Sequence, residues 1–242
     1  MYAIETVNLT KKYKDVVAVK NLNLQIKKGE LFSLLGVNGA GKTTTIKMLS
    51  CLTNVTSGEA FINNYSVIKD SSLVKSIIAV SPQETAVAKA LTVYENLKLI
   101  CGIYGFSKEK QAAKINTLTN LLGLNSVLNK KAGKLSGGFQ RRLSIAMSLI
   151  SEPQILFLDE PTLGLDVIAR SELWDIIRSL KGQITIILTT HYMEEAEALS
   201  DRIAIMKNGE LLVCDNAEEI KKMAKAESFE QAFINIVKGA KI

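Results

Sequence analysis

The chain has 242 residues, 47% of them hydrophobic, and a formal net charge of +6. This length allows a substantial core, so we expect one domain or one domain with an inserted lobe. No apolar run approaches the roughly 20 residues that a membrane-spanning helix needs, and the N-terminus alternates like a strand instead of resembling a signal peptide. These features disfavour membrane-spanning and secreted classes, and we expect a cytoplasmic protein.

Cysteine usage and charge distribution exclude further classes. Cys51, Cys101 and Cys214 lie in apolar surroundings without CxxC spacing, which favours buried reduced thiols over a metal site or a disulfide framework. Lys and Glu are interspersed, and no run of five or six basic residues occurs, so we expect no nucleic-acid partner. A solvated surface is the favoured interpretation, while anionic ligands such as phosphate and an anionic membrane face remain as alternatives.

Short apolar strands alternate with helical patterns along most of the chain. Strands rich in Val, Ile and Leu that are separated by helices predict an α/β fold with a mostly parallel, buried sheet. The predicted strands are 3–9, 22–26, 31–35, 60–62, 76–80, 155–159, 184–189, 202–206 and 210–214.

The pattern changes between Glu84 and Lys134, where helical periodicity occurs without strands. Thr92, followed three residues later by Glu95, predicts a capping box at a helix start. We interpret this region as an inserted helical lobe with its own small core, built from one helix face that carries Val93, Leu97, Ile100, Cys101 and Tyr104.

A glycine-rich pattern, GxxxxGKT from Gly36 to Thr43, follows the strand LFSLL and opens a helix. Glycines let such a loop wrap closely around a polyphosphate, so that backbone N–H groups and the helix dipole face its oxygens. Lys42 would add a charge for the β and γ phosphates, and the Thr43 hydroxyl would coordinate Mg²⁺. A structural glycine turn is the alternative, but it does not explain the complete pattern in this context.

Two carboxylates end a strand that otherwise reads as fully buried, ILFLDE. Buried carboxylates are unfavourable without partners, and a metal ion would explain one of them. Asp159 is positioned to hold Mg²⁺, directly or through water, and Glu160 to polarise a water for attack on the γ phosphate. A pair of strand-end carboxylates facing solvent is the alternative.

Two more polar residues follow apolar strands. His191, the only histidine, comes after ITIILTT, at the sheet edge where ligands bind in open α/β folds, and we expect it to contact the γ phosphate. A structural or exposed histidine is the alternative. Gln83, in VSPQE, is placed to touch Mg²⁺ or the attacking water, and an exposed turn residue is an equal alternative.

Taken in order, these motifs resemble those of the nucleotide-binding subunit of ATP-binding cassette (ABC) transporters over essentially the whole chain. The resemblance identifies Gln83 as the Q-loop residue, Asp159 and Glu160 as Walker B, and His191 as the switch histidine. It implies that Tyr13 stacks on adenine, although an edge tyrosine of the first hairpin is the alternative. Asp166 of LGLD resembles the D-loop residue of the nucleotide site. The loop GVNGAGKTT resembles Walker A, with Gly36, Asn38, Gly39, Ala40, Gly41, Lys42, Thr43 and Thr44.

LSGGFQ resembles the family signature, which serves the nucleotide bound by a second cassette. The resemblance implies that Ser136, Gly137 and Gly138 present a hydroxyl and bare amides to the γ phosphate held across a head-to-tail dimer. A helix cap would explain Ser136 alone. One loop and one signature per chain imply a second cassette, in a homodimer or a heterodimer.

The resemblance implies a P-loop NTPase core with a mostly parallel sheet, an N-terminal antiparallel β subdomain and an inserted α-helical subdomain. We expect a single nucleotide-binding domain, with residues 1–84 and 152–242 as core and 85–151 as the helical insertion. A short helical tail, 217–242, would pack Phe229, Phe233 and Ile236 on the domain behind a Ser228/Gln231 cap.

The implied function is Mg²⁺-dependent ATP hydrolysis that powers transport through separate membrane subunits, with the chain peripheral on the cytoplasmic membrane face. GAGKTTTIKML, LTVYENL and the tail resemble the ABC-2 type exporters of drugs, antibiotics, lipids and ions. A DNA-repair ATPase and a non-transport ATP-sensing module are the alternatives. Four residues depart from the family pattern without removing a group assigned to chemistry, and those in the signature and around the D-loop would alter dimer affinity: Val37, Phe139, Leu163 and Val167.

Overall fold

The computed structural model describes residues 1–239; the last three residues of the predicted tail lie outside this range. Its strands are β1 (Tyr2–Tyr13), β2 (Val16–Lys27), β3 (Leu31–Leu35), β4 (Ser57–Ile62), β5 (Tyr65–Ser66), β6 (Ile78–Ser81), β7 (Ile155–Asp159), β8 (Thr185–Thr190), β9 (Arg202–Lys207) and β10 (Glu210–Asp215). The α-helices are α1 (Lys42–Leu49), α2 (Ser71–Ile77), α3 (Val93–Ile103), α4 (Lys108–Leu121), α5 (Gly137–Leu149), α6 (Val167–Leu180), α7 (Met193–Leu199), α8 (Ala217–Met223) and α9 (Phe229–Lys238).

Two sheets organise these elements. An antiparallel sheet has the order β2-β1-β4-β5, and a second sheet has the order β10-β9-β3-β8-β7-β6. All pairings in the second sheet are parallel except that of β10 with β9. Every residue of β3, β7 and β8 is buried, which explains why their sequences are continuous apolar runs. The predicted α/β class and both kinds of sheet are confirmed.

One predicted strand begins too early. Residues 76–80 were expected as a strand, but α2 continues to Ile77 and β6 begins at Ile78. The helix packs Val74, which is fully buried, into the core beneath the antiparallel sheet. An apolar run alone does not distinguish the end of a helix from the start of a strand.

The region between β6 and β7 is helical, and its first helix begins with the predicted capping box between Thr92 and Glu95. Val93, Leu97 and Cys101 are fully buried and Ile100 is half-buried, but Tyr104, the residue just after α3, is 53% exposed, which corrects its place on the buried face. The prediction of a separate small core is wrong. Residues of α3, α4 and α5 form one continuous hydrophobic cluster with residues of β3, β7 and β8.

The C-terminal helix α9 begins at the predicted cap, where the Ser228 side chain accepts from the Gln231 amide. Phe229, Phe233 and Ile236 are buried against residues of β3, β9 and α7. This helix therefore belongs to the packed body of the protein.

The three cysteines are free thiols, but only Cys101 is fully buried. Cys51 and Cys214 are half-buried, which corrects the expectation for these two residues. Burial raises the pKa of the Cys214 thiol to about 11, so this side chain is protonated and weakly nucleophilic near neutral pH.

Charge is distributed unevenly. Residues 85–151, hereafter the helical segment, contain ten Lys and Arg against two Glu, whereas the rest of the chain has twenty Lys and Arg against twenty-two Asp and Glu. Within residues 1–239 we find no helix whose length and apolar character would let it cross a membrane.

Candidate functional site

A cavity of about 720 Å³ lies at the C-terminal edge of the parallel sheet, where the loops after β3, β6, β7 and β8 meet. This is the edge at which open α/β sheets bind ligands. The cavity is lined by Val16, Val17, Ala18, Asn38, Gly39, Ala40, Gly41, Lys42, Thr43, Thr44, Gln83, Glu160, Leu163, His191 and Asn208.

The glycines of the loop after β3 serve different purposes. A Cβ on Gly36 would lie 2.5 Å from the carbonyl oxygen of Met206, and one on Gly41 would lie 2.6 Å from that of Ala18. These two glycines are therefore required where the loop packs closely against the backbone of β9 and β2. Gly39, with φ of +81°, has no atom of the described residues within 4 Å of the same position, so it leaves open space on the cavity side.

Lys42 stands at the start of α1 with its side chain only 5% exposed. Its ammonium donates to the carbonyl oxygens of Gly36 (2.7 Å) and Val37 (3.3 Å) and lies 3.6 Å from Glu160 Oε1. Burial lowers the pKa of Lys42, while the Glu160 carboxylate opposes that shift. The loop thus holds a buried cation beside the amides at a helix N-terminus, an arrangement that suits a polyphosphate.

The two carboxylates after the β7 apolar run are buried, at 6% exposure for Asp159 and 9% for Glu160. Thr43 donates its hydroxyl to Asp159 Oδ1 at 3.1 Å, and Thr189 donates to the same oxygen. Glu160 adopts a left-handed backbone with φ of +46°, and its amide donates to the hydroxyl and the carbonyl oxygen of Thr189. The alternative of two solvent-facing carboxylates is therefore wrong.

His191 immediately follows β8, and its Nδ1 lies 3.1 Å from Glu160 Oε2. The imidazole also contacts the ring of Tyr192, with ring centroids 4.1 Å apart. Glu160 therefore has Lys42 near one oxygen and His191 near the other. The structure brings together four residues from three separate strand ends, Lys42, Asp159, Glu160 and His191.

The donor set fits magnesium. Thr43 lines the cavity and its hydroxyl is hydrogen-bonded to the Asp159 carboxylate, which is not itself a lining residue; both groups supply oxygen, the ligand atom that Mg²⁺ prefers. Among residues 1–239 there is no group of three His, Cys, Asp or Glu side chains that could enclose a metal ion. Such a site suits an ion that takes one or two protein ligands and completes its coordination with phosphate oxygens and water.

Several residues predicted for the nucleotide site lie outside this cavity. Tyr13 is 43% exposed and pairs with Val16 in the first hairpin; Val16, Val17 and Ala18 line the cavity instead. Ser136 and Asp166 cap α5 and α6 through the amides of Phe139 (3.5 Å) and Ala169 (2.9 Å).

The two signature glycines have different environments. Gly137 is exposed, and a Cβ there would meet only Leu165 Cδ2 at 3.6 Å. Gly138 is buried, and a Cβ there would lie 3.0 Å from the Cβ of Ala169 on α6. Packing within the chain therefore explains the second glycine, whereas Gly137 presents its bare backbone to the surface.

Sequence reasoning missed four residues around the site. Asn208 lines the cavity from the β9–β10 turn, where its φ is +50°. The Asn-Gly pair between two apolar strands is typical of a tight hairpin turn, and this pattern could have located Asn208 in the sequence. Thr189 could have been found in the sequence as one of the two polar residues at the end of the apolar strand ITIILTT. Arg141 and Glu195 are almost completely buried polar residues on helices, at 4% and 0% exposure, and no pattern in the sequence reveals their partners.

Comparisons with known proteins agree with this geometry. The family described as ABC transporter matches residues 19–163. Human phospholipid-transporting ATPase ABCA3 is 41% identical over 209 residues, which cover 86% of this chain and 12% of that protein. The doxorubicin resistance ATP-binding protein DrrA of Mycobacterium tuberculosis is 40% identical over 210 residues, covering 86% of this chain and 63% of that protein. The chain thus spans less than two thirds of either relative.

A solved structure of the ATP-binding cassette MJ0796, described as dimeric and post-hydrolysis with bound ADP and Pi, has a TM-score of 0.78 to this chain. It is 30% identical, and the match covers 88% of this chain and 98% of that one. The family match spans more than half of the chain, and the glycine-rich loop, Gln83 and Glu160 within it line one cavity. The chain belongs to the ABC transporter family, as an ATP-binding cassette.

Proposed function

We propose that this cassette binds ATP with Mg²⁺ and hydrolyses it, as a dimer, to power transport through separate membrane subunits. The observation that carries the proposal is the cluster in which Glu160 lies between Lys42 and His191 while Thr43 and Asp159 share a hydrogen bond. A buried lysine, a buried base and an oxygen pair for a metal are the groups that phosphoryl transfer requires.

Each side chain has a defined task in this proposal. Lys42 and the amides of residues 39–44 bind phosphate, and Thr43 and Asp159 hold the metal. Glu160 accepts a proton from the attacking water, and His191 orients the Glu160 carboxylate and contacts the γ phosphate. Gln83, which lines the cavity, is placed to contact the metal or the water. The bound Mg²⁺ would supply charge neutralisation on the phosphate oxygens.

The signature segment supports a dimer. Ser136 and Gly137 are exposed, and neither lines the cavity of its own chain. Their exposed hydroxyl and amide at the start of α5 suit the γ phosphate bound by a second cassette. Asp166, exposed at the start of α6, would lie at the same interface. We expect Tyr13 to reach the adenine only when nucleotide is bound.

The test uses Glu160→Gln, which keeps the shape of the side chain and removes the base. We expect ATP to bind normally and hydrolysis to fall by about 10²–10⁴-fold, the usual contribution of a positioned base. Sedimentation of this variant should detect a dimer with Mg-ATP and a monomer without it. Wild-type turnover in the variant would refute the role of Glu160, and a monomer under both conditions would refute a nucleotide-driven homodimer.

We propose that the membrane subunit docks in a groove of about 430 Å³ between the parallel sheet and the helical segment, beside Gln83. Its lining includes Leu52, Pro82, Ile100, Ile103 and Tyr104, and Leu52, Ile103 and Tyr104 are more than half exposed. Ile103→Asp should lower the membrane-bound fraction in cells without changing ATPase activity in solution, whereas Val7→Asp on the antiparallel sheet should change neither. Equal membrane binding in both variants would contradict this docking site.

Export as the direction of transport rests on relatives such as DrrA, whose description concerns doxorubicin resistance. We propose that this cassette likewise serves an exporter and resides on the cytoplasmic membrane face. The DNA-repair interpretation is not favoured, because the matching family is described as ABC transporter. Salt-dependent binding to duplex DNA would contradict our proposal.

A further inference from the structure

The signature helix α5 carries an arginine that does not face the signature surface. Arg141 is 4% exposed, although a guanidinium is costly to remove from water without partners. Among residues 1–239, no carboxylate lies within ion-pair distance of it. Its partners are instead two main-chain carbonyl groups.

Those carbonyls belong to the loop that contains Gln83. Nη1 of Arg141 donates to the Pro82 carbonyl oxygen at 2.6 Å, and Nη2 donates to that of Gln83. The planar guanidinium thus engages two consecutive peptide groups, a geometry that a lysine ammonium cannot reproduce. Because the loop's own backbone is held, any shift of the Gln83 main chain must displace Arg141 or break these bonds.

Two further contacts extend this attachment along α5. The hydroxyls of Ser144 and Ser81 are 3.2 Å apart, and the Ser148 hydroxyl donates to the Val80 carbonyl oxygen at 3.2 Å. Arg141, Ser144 and Ser148 recur at the spacing of one helix face. One face of the signature helix therefore follows β6 and the loop after it.

Under the proposed function, the Gln83 loop and the start of α5, which Arg141 links, serve the nucleotides of two different subunits. Gln83 lines the cavity of its own chain, whereas Ser136 and Gly137, one turn before Arg141, are exposed and do not line that cavity. Helices and packed hydrogen-bond networks transmit displacement when they move as one body.

We propose that Arg141 is a positioning residue that couples the nucleotide site of its own chain to the signature segment 136–138, which serves the partner's site. This inference rests on the proposed function. Arg141 holds the main chain of the Gln83 loop against α5, so that the two sites of a dimer adjust together. Ser144 and Ser148 extend the same attachment.

The test measures steady-state ATPase kinetics and fluorescent-nucleotide binding for Arg141→Met, Gln83→Ala and the double variant. We expect Arg141→Met to leave nucleotide affinity within about twofold of wild type, to lower kcat about tenfold, and to reduce the cooperativity of hydrolysis with ATP concentration. The double variant should be no slower than the slower single variant, because Arg141 acts through the loop that carries Gln83.

Arg142→Met is the matched control, since Arg142 is the next residue of α5 but pairs with Glu172 on α6. The effects of Arg142→Met and Gln83→Ala on kcat should multiply in the corresponding double variant, as expected for residues that act independently. If Arg141→Met proves unstable in thermal unfolding, Arg141→Lys keeps the charge and one hydrogen bond, and should have an intermediate kcat and the same non-additivity.

Three results would overturn the inference. The first is that the effects of Arg141→Met and Gln83→Ala on kcat multiply in the double variant, and the second is that folded Arg141 variants keep the wild-type kcat. The third is a loss of nucleotide affinity that accounts for the lower rate. Failure of the proposed function would be recognised separately, because wild type itself would not hydrolyse ATP.

Discussion

The hydroxyl of Thr189 donates a hydrogen bond to Oδ1 of Asp159, across the parallel pair of strands β8 and β7. The same hydroxyl accepts from the Glu160 amide at 3.0 Å. One side chain on a neighbouring strand therefore fixes both the proposed metal ligand and the backbone of the proposed base.

Thr189→Val should weaken both functions while preserving side-chain volume. The Glu160 amide keeps the Thr189 carbonyl oxygen as an acceptor, so each lost hydroxyl hydrogen bond should lower the free energy of unfolding by about 0.5–1.5 kcal/mol, and ATPase activity should require more Mg²⁺. Urea denaturation and a magnesium titration measure the two effects. Thr189→Ser retains the hydroxyl and should resemble wild type; an equally impaired Ser variant would contradict the role of this hydroxyl.

The signature glycines should respond differently to an added methyl group. Gly138→Ala places a Cβ 3.0 Å from that of Ala169, so the close contact between α5 and α6 should make it destabilising, as overpacking typically costs about 1–3 kcal/mol. Gly137→Ala meets only Leu165 at 3.6 Å and should fold normally while impairing hydrolysis in the dimer. Thermal unfolding and ATPase assays of both variants distinguish these outcomes; a stable Gly138→Ala protein would contradict the packing argument.

Glu195 should make stability depend on pH. It is fully buried, its Oε1 accepts from Thr162 and Trp174, and its Oε2 has no hydrogen-bond partner among residues 1–239. Burial raises the pKa of Glu195 above its ordinary value of 4.5, so the folded chain binds this proton more tightly than the unfolded chain does. Its contribution to stability is therefore largest below pH 4.5 and is lost as the pH rises to the raised native value.

Glu195→Gln removes this titration and should flatten the dependence of unfolding free energy on pH in that window. Chemical denaturation at a series of pH values measures it, and Glu194→Gln, at an exposed neighbouring position, is the control. Identical slopes in wild type and Glu195→Gln would exclude Glu195 as the source.

The C-terminal helix should contribute strongly to stability. Phe229 is 2% exposed in the cluster that joins α9 to β3 and β9, and Phe229→Ala should cost about 3–5 kcal/mol through lost burial and a cavity. Phe229→Leu keeps most of the volume and should cost less than about 1.5 kcal/mol. Denaturant unfolding provides the measurement, and a nearly neutral Ala variant would mean that α9 detaches without cost.

The central part of the site was predictable because parallel strands end at a common edge. Lys42, Asp159, Glu160 and His191 each follow an apolar run, and this position places them together whatever the intervening sequence. Tyr13 does not line the cavity, and its contact with adenine stays a prediction, since an aromatic residue on an exposed hairpin can lie on either side of the cavity mouth. Helical periodicity placed Tyr104 on the buried face of α3, but the helix ends one residue earlier, at Ile103.

Other features could not be predicted because their partners are main-chain atoms or distant packing surfaces. Arg141 looks like an ordinary charged residue of an amphipathic helix, yet it binds carbonyl groups 58 and 59 residues away. Gly138 reads as part of a phosphate-binding motif, and only tertiary structure reveals its contact with Ala169. The helical segment shares its core with the sheet because α5 packs on β6.

The charge of the chain is divided unevenly, with a net +8 in the helical segment and −2 in the rest, so the molecule has an electric dipole whose positive pole is the helical segment. In the proposed head-to-tail pair, the positive pole of each subunit faces the weakly negative body of the other, and the two dipoles oppose and partly cancel. Such complementarity accelerates encounter and selects orientation more than it strengthens the final complex, and dissolved salt screens it. Uniform surface charge would make two copies repel in every orientation, whereas this distribution already favours the antiparallel one before any nucleotide bridges them.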